Sequence, residues 1–123
     1  MKQESDSLIP MATSTSTADT EVLACQIGML DAAQRQRHQI VLRQLSQAVQ
    51  AVQELPDGYA LRFEADTCLL AAEFIARERL CCPFFHFILD VEPDGGPLWL
   101  RLTGRTGVKQ ILREELHSLV GNL

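Results

Sequence analysis

The stretch FHFILDVEPDGGPLWLRL, residues 85–102, contains two alternating runs of apolar residues joined by a short turn. The apolar residues occupy every second position on each side of that turn: Phe85, Phe87, Leu89, Val91, Leu98, Leu100 and Leu102. A period of two is typical of half-buried β-strands. The turn itself, PDGGP at 93–97, consists of residues that favour chain reversal. The stretch therefore predicts a β-hairpin.

The other elements are placed by working outward from this hairpin. Residues 59–64 alternate in the same way and predict another strand. A helical period predicts one helix over 32–53, a second from Asp66 or Thr67 to Leu80, and a third over 108–120. Pro83 ends the second helix, because the residue before a proline is disfavoured in the α region. Residues 21–27 are interpreted as an edge strand or an extended lead-in.

These elements predict an α+β fold, a two-layer sandwich. A small, mostly antiparallel sheet of three or four strands would carry about three helices on one face. We expect residues 21–123 to form this single domain. Residues 1–20 are predicted to be a disordered tail, because their Ser/Thr-rich composition offers little apolar surface to bury.

Charge and hydropathy restrict the possible partners. The formal net charge is −5, so we expect neither nucleic acid nor an anionic membrane as a partner, since both call for a basic surface. No apolar run approaches the roughly 20 residues of a membrane helix, and the N-terminus lacks a signal-peptide pattern. We therefore expect a cytoplasmic protein whose cysteines are reduced thiols. A single small sheet with a bare face or edge also predicts a homodimer.

The residues best suited to chemistry are the vicinal cysteines Cys81 and Cys82, with Glu78 ahead of them. Spacings of three and four residues place Glu78 on the same helical face as both thiols. That face is otherwise apolar, so the carboxylate needs a partner. The candidate partners are Arg35, Arg37 and Arg101. Because thiolates select soft ions, the cysteine pair predicts a site for mercury, zinc or copper(I).

The other cysteines differ in what they imply. Cys25 becomes a third metal ligand if the first extended run lies beside the end of the second helix, whereas Cys68 is predicted only to pack. The alternative for Cys81 and Cys82 is also packing, since free cysteine behaves as a small buried hydrophobe. Several other polar residues are interpreted as structural or solvated: His38, His86, His117, Lys109, Arg113, Glu114 and Glu115.

Several segments of the chain resemble a known family. They are LPDGY at 55–59, ERLCCPF at 78–84, LWLRLTG at 98–104 and GVK at 107–109. The resemblance is to small bacterial proteins with an E-R-x-C-C-P-F motif, which also forms a C-terminal extension of some mercury-responsive MerR-type regulators. It extends over roughly residues 22–116, with Cys25 matching a cysteine near the start of the family. This resemblance implies a role with a soft metal.

Three functional hypotheses follow. The first is binding of a thiophilic metal or metalloid ion by Cys81, Cys82 and Cys25, in metal resistance or sensing. The second is a thiol enzyme acting on an organometal or a small electrophile, with Cys81 or Cys82 as nucleophile and Glu78 as the candidate catalytic proton donor. The third is a structural or interaction domain whose cysteines only pack.

Overall fold

The computed structural model describes residue 23 and residues 25–120. The tail predicted over 1–20 lies outside these residues, as does part of the run 21–27. The described portion of that run contains no strand, and Ile27–Met29 form a 3-10 turn instead. None of the helices in the described part of the chain is long and apolar enough to cross a membrane.

The described residues contain three helices and four strands. Their bounds are Ala32–Ala48 (α1), Ala51–Leu55 (β1), Gly58–Phe63 (β2), Cys68–Cys81 (α2), His86–Val91 (β3), Leu98–Thr103 (β4) and Val108–Val120 (α3). A capping box starts α1: the side chain of Asp31 accepts from the Gln34 backbone N–H, and the Gln34 side chain accepts from that of Asp31. The third helix has the bounds that the sequence predicts.

The strands form one antiparallel sheet in the order β1-β2-β4-β3. β3 and β4 pair from His86↔Thr103 to Val91↔Leu98, which confirms the hairpin. The helices cover one face of the sheet, so the predicted α+β sandwich is confirmed as well.

The first helix is shorter than the sequence predicts. The helix expected over 32–53 ends at Ala48, and residues 51–55 form β1 beside β2. Val52 fits the helical period as well as the two-residue period of a strand. In the structure it belongs to a strand and packs against the core. The connection at 56–57 lets the chain return as a hairpin. The backbone groups of β1 that face β2 are then satisfied by the ladder between the two strands instead of by another turn of helix.

The core lies between the helices and one face of the sheet. It takes alternate residues of β2 and β4 and a stripe of α3: Tyr59, Leu61, Phe63, Leu98, Leu100, Leu102, Val108, Leu112 and Leu116. This alternation is the one that predicted the strands, so a one-residue slip in register would expose the whole apolar set.

The first two helices are joined by an ion-pair cluster near the surface. Arg37 of α1 binds Glu73 of α2 through two hydrogen bonds, from Nε at 2.6 Å and from Nη2 at 2.7 Å. Arg77, one turn further along α2, donates to the same carboxylate at 2.7 Å. These contacts help to hold α1 against the middle of α2.

Candidate functional site

The C-terminal end of α2 places Glu78, Cys81 and Cys82 side by side in the core. Their exposed fractions are 6%, 2% and 0%. The Cys82 backbone N–H donates to the Glu78 carbonyl at 2.7 Å, and Pro83 then ends the helix. The predicted placement of both cysteines at this helix end, on the face of Glu78, is confirmed.

Cys25 lies at the same place, as a disulfide partner of Cys82. The two Cα atoms are 4.6 Å apart, within the ordinary range for a disulfide. The neighbouring Gln26 backbone N–H donates to the Cys81 carbonyl, which satisfies an acceptor at the end of α2. Cys25 thus lies beside the end of α2, which is the condition that a third sulfur ligand requires.

The expectation that all four cysteines are reduced thiols is wrong for this structure. It rested on the adjacency of Cys81 and Cys82, which cannot easily pair with each other, and on a default compartment. The bond forms instead across a sequence separation of 57 residues, where only the tertiary fold brings Cys25 and Cys82 together. Cys68 and Cys81 are free.

The thiol of Cys81 lies between the disulfide and the buried acid. Its Sγ is 3.9 Å from Cys82 Sγ and 3.8 Å from Glu78 Oε1. Burial, and then the negative charge of Glu78, raise the pKa of Cys81 to about 11. The group is therefore a protonated thiol at neutral pH.

Glu78 is paired with His38 and not with an arginine. His38 Nε2 donates to Glu78 Oε1 at 2.7 Å, and the histidine is only 3% exposed. The arginines proposed from the sequence bind elsewhere: Arg35 to the Leu30 carbonyl, Arg37 to Glu73, and Arg101 to Asp90.

Sequence reasoning missed His38, although a signal was present. His38 lies three and seven residues before Val41 and Leu45, the other buried residues of α1, and so shares their stripe. A histidine on the buried stripe of one helix and a glutamate on the buried stripe of another form a plausible pair. The structure brings the two side chains together.

Glu115 of α3 is a second residue whose place beside the cysteines the sequence did not indicate. It was assigned to a solvated face, but it is half-buried and lies 3.7 Å from Cys25 Sγ. Burial, and then the charge of Glu78, raise the pKa of Glu115 to about 7. The signal for it was weak, because its exposed neighbours Arg113 and Glu114 favour a solvated face.

Two overlapping groups of side chains have the geometry to hold a metal ion. One is Cys25, Glu78 and Cys82, and the other is His38, Glu78 and Cys81; in each, the ligand atoms lie within 4.8 Å of one another. Sulfur, carboxylate and imidazole donors suit zinc and softer ions. Because a metal needs thiolates, the first group can bind only after the disulfide is reduced.

The remaining cysteine and histidines lie apart from this cluster. Cys68 is half-buried at the start of α2 and packs against the core, as predicted. His86 and His117 are exposed, which agrees with the structural interpretation made from the sequence.

Fold and site together define a small α+β domain with a buried cluster of thiol, disulfide, carboxylate and imidazole groups. Comparisons with protein-family models, curated proteins and solved structures find no match to this chain. The resemblance to the E-R-x-C-C-P-F family therefore stays a prediction from the sequence.

Proposed function

We propose that the reduced chain binds one thiophilic metal ion at the end of α2. The observation that carries this proposal is the group formed by Cys25, Glu78 and Cys82, whose ligand atoms lie within 4.8 Å of one another. Cys81 is a candidate third sulfur ligand, because its Sγ is 3.9 Å from that of Cys82. Mercury, zinc and copper(I) are the ions that this donor set favours.

Binding on this proposal is coupled to reduction. Two molecules of a small thiol, or one dithiol, reduce the Cys25–Cys82 bond and are themselves oxidised to a disulfide, and their two protons complete the free thiols of Cys25 and Cys82. The ion then replaces those protons, since the ligands must be deprotonated. Cys25 is the exposed end of the disulfide, whereas Cys82 is buried, so an external thiol has access to the Cys25 sulfur.

A titration tests the proposal. The full chain is reduced, freed of reductant without oxygen, and titrated with Zn²⁺ and with Hg²⁺. We expect about one tightly held ion per chain, released protons, and protection of the bound thiols from alkylation. The oxidised chain should hold neither ion tightly, because two of its ligand sulfurs are bonded to each other.

Variants separate this site from nonspecific thiol binding. The Cys25→Ser/Cys82→Ser double variant should lose the ion and the proton release. Cys68→Ser is the matched control, because it removes a free thiol that lies outside the cluster. Unchanged stoichiometry in the double variant would overturn the proposal and leave a domain in which these cysteines only pack.

A second candidate is a thiol enzyme acting on an organometal or a small electrophile. It is supported by the chain of contacts from Cys81 to Glu78 at 3.8 Å and from Glu78 to His38 at 2.7 Å. Cys81 Sγ would form a bond to the electrophile as the bond to its leaving group breaks. The thiol proton would pass to Glu78, which then donates it to the departing group, with His38 orienting the carboxylate. Turnover of an organomercurial that is lost in Cys81→Ser and in Glu78→Gln would support this activity. Binding without turnover would contradict it.

We further propose that the protein is a cytoplasmic homodimer. A reducing compartment suits a site that needs free thiols. One face of the sheet carries no helix in the described part of the chain, and Ile88 and Trp99 lie on that face. In the single chain, the Ile88 side chain is 41% exposed. Contact with a second copy would bury this apolar surface. Light scattering that gives a monomer mass at micromolar concentration would rule the dimer out.

A further inference from the structure

A cavity of about 690 Å³ separates α1 and α3 and extends to the helix-facing side of the sheet. Its volume falls in the range of small-molecule sites. Most of the wall is apolar, contributed by all three helices and by the sheet: Leu42, Leu45, Phe74, Leu100, Ile111 and Leu116. The cysteine cluster occupies only one part of this wall, so metal binding leaves most of the cavity unexplained.

Among the described residues on the wall, carboxylates outnumber basic groups, of which His38 is the one present. Among the described residues that line the cavity there is no lysine or arginine, whereas Glu78, Glu114 and Glu115 all contribute to it. Glu78 is paired with His38, and Glu114 is exposed and accepts from the Gln110 side chain at 3.2 Å. The cavity is therefore apolar and negatively charged.

Glu115 is the carboxylate without a donor. Within residues 25–120 it forms no ion pair, and its closest polar neighbour is Cys25 Sγ at 3.7 Å. In the disulfide that sulfur carries no proton to donate. His38 Nδ1, on another part of the same wall, is also a buried polar atom without a partner. Buried and half-buried polar groups normally have hydrogen-bond partners. A ligand that donates hydrogen bonds to the Glu115 carboxylate or to His38 Nδ1 is therefore favoured.

We infer that the cavity binds a small organic ammonium ion with an apolar body. Its aryl or alkyl portion would fill the space between α1 and α3, and its cationic head would lie against Glu115. The phenylalanine rings on the wall, Phe63, Phe74 and Phe85, add a surface that attracts cations. An anion of the same shape would meet the carboxylates, and a neutral molecule would leave Glu115 unpaired.

The test uses three ligands that share a biphenyl body and differ in the head group. They are the amine biphenyl-4-ylmethylamine, the neutral biphenyl-4-ylmethanol and the anion biphenyl-4-carboxylate. Each is titrated calorimetrically into the full, oxidised chain with a chelator present, at a mildly alkaline pH that leaves the amine protonated. Because the disulfide is intact and metal is absent, the outcome is independent of the proposed metal site.

We expect the amine to bind at about one per chain, roughly tenfold or more tighter than the alcohol, with the carboxylate weakest. Glu115→Gln should weaken the amine by roughly tenfold and leave the alcohol unchanged. Glu92→Gln is the matched control, since it removes an equal charge from an exposed residue outside the cavity. Leu42→Trp, which narrows the cavity, should weaken all three ligands.

Several results would overturn the inference. They are equal binding of amine and carboxylate, an effect of Glu92→Gln as large as that of Glu115→Gln, and no binding of the amine at all. If the affinity for the amine fell as the protein concentration rose, a second copy of the chain would be competing for the cavity. That result would also overturn the inference. Retained folding of Glu115→Gln is checked by its thermal midpoint.

Discussion

Glu78 carries a carboxylate in the core, and His38 is the residue that makes its burial tolerable. The pair is held at 2.7 Å with both side chains almost fully enclosed. Replacing either residue leaves the other buried without its hydrogen bond. The resulting loss of folding free energy is far larger than the net contribution of the intact pair. The pair is therefore both a support for the site and a point of weakness.

His38→Ala should lower the free energy of unfolding by about 3 kcal/mol, because Glu78 then lies buried without a donor. Replacing both residues by leucine should recover most of that loss. Urea denaturation measures both quantities, and His86→Ala, at an exposed site, serves as the control. If His38→Ala proved as mild as the control, Glu78 would have to be neutral or solvated in the native protein.

Cys81 should be a slow nucleophile in the folded, oxidised chain. With its pKa raised to about 11, its thiolate fraction at neutral pH is low. In the Cys68→Ser background, we expect iodoacetamide to modify it roughly a hundredfold or more slowly than an ordinary small thiol. The rate should rise with pH toward about 11 and become fast in denaturant. A rate near that of free cysteine in native buffer would contradict this account.

The sequence predicted only part of the residue cluster at the end of α2. Cys81, Cys82 and Glu78 follow from local spacing on one helix, which a sequence displays directly. His38, Glu115 and the pairing of Cys25 depend on which helices and loops come together, and local spacing contains no such information. The distance of 57 residues between Cys25 and Cys82 illustrates the difference.

Among the elements, β1 shows where periodicity fails. Its residues 51–55 continue an apolar pattern that also fits a helix, and their burial is incomplete. What decides the outcome is pairing with β2, a nonlocal interaction that the pattern does not encode. The strands β2, β3 and β4 were predictable because their alternation is regular and bounded by turn residues.

The close approach of β2 and β4 gives the next prediction. A side chain at Gly58 would collide with the backbone carbonyl oxygen of Leu102. Gly58→Ala should therefore lower the free energy of unfolding by about 2 kcal/mol, because the strands must move apart. Gly28→Ala is the control, since a methyl group there meets nothing within 4 Å. Equal stability of the two variants in urea would show that the strands accommodate a methyl group freely.

The ion-pair cluster between α1 and α2 should make stability depend on pH. The hydrogen bonds from Arg37, and then from Arg77, lower the pKa of Glu73 from 4.5 to about 2. A lowered native pKa stabilises the fold above the unfolded value, and this contribution is lost as the pH falls from 4.5 toward 2.

Glu73→Gln removes that titration. The variant should be less stable than the wild type near neutral pH, and the difference should shrink on acidification through the same interval. Urea midpoints measured across that range check it, with Glu92→Gln as the control at an exposed carboxylate. A difference that stays constant with pH would show that Glu73 contributes through packing alone.

For the whole molecule, the site links the first described residues to the end of α2. The disulfide and the Gln26–Cys81 hydrogen bond fasten this segment beside Glu78 and Glu115. In the reduced chain, an ion shared by Cys25 and Cys82 would take over that cross-link. On this proposal the disulfide and the metal ion are alternative cross-links between Cys25 and Cys82.

X-ray absorption on the zinc-loaded, reduced protein shows whether Cys25 and Cys82 are the sulfur ligands of the bound ion. The account predicts a shell of at least two sulfur atoms at about 2.3 Å, with the remaining ligands oxygen or nitrogen. The Cys25→Ser/Cys82→Ser variant should lose that shell, whereas Cys68→Ser should keep it. A zinc ion surrounded only by oxygen and nitrogen in the wild type, or a sulfur shell that persists in the double variant, would contradict the account.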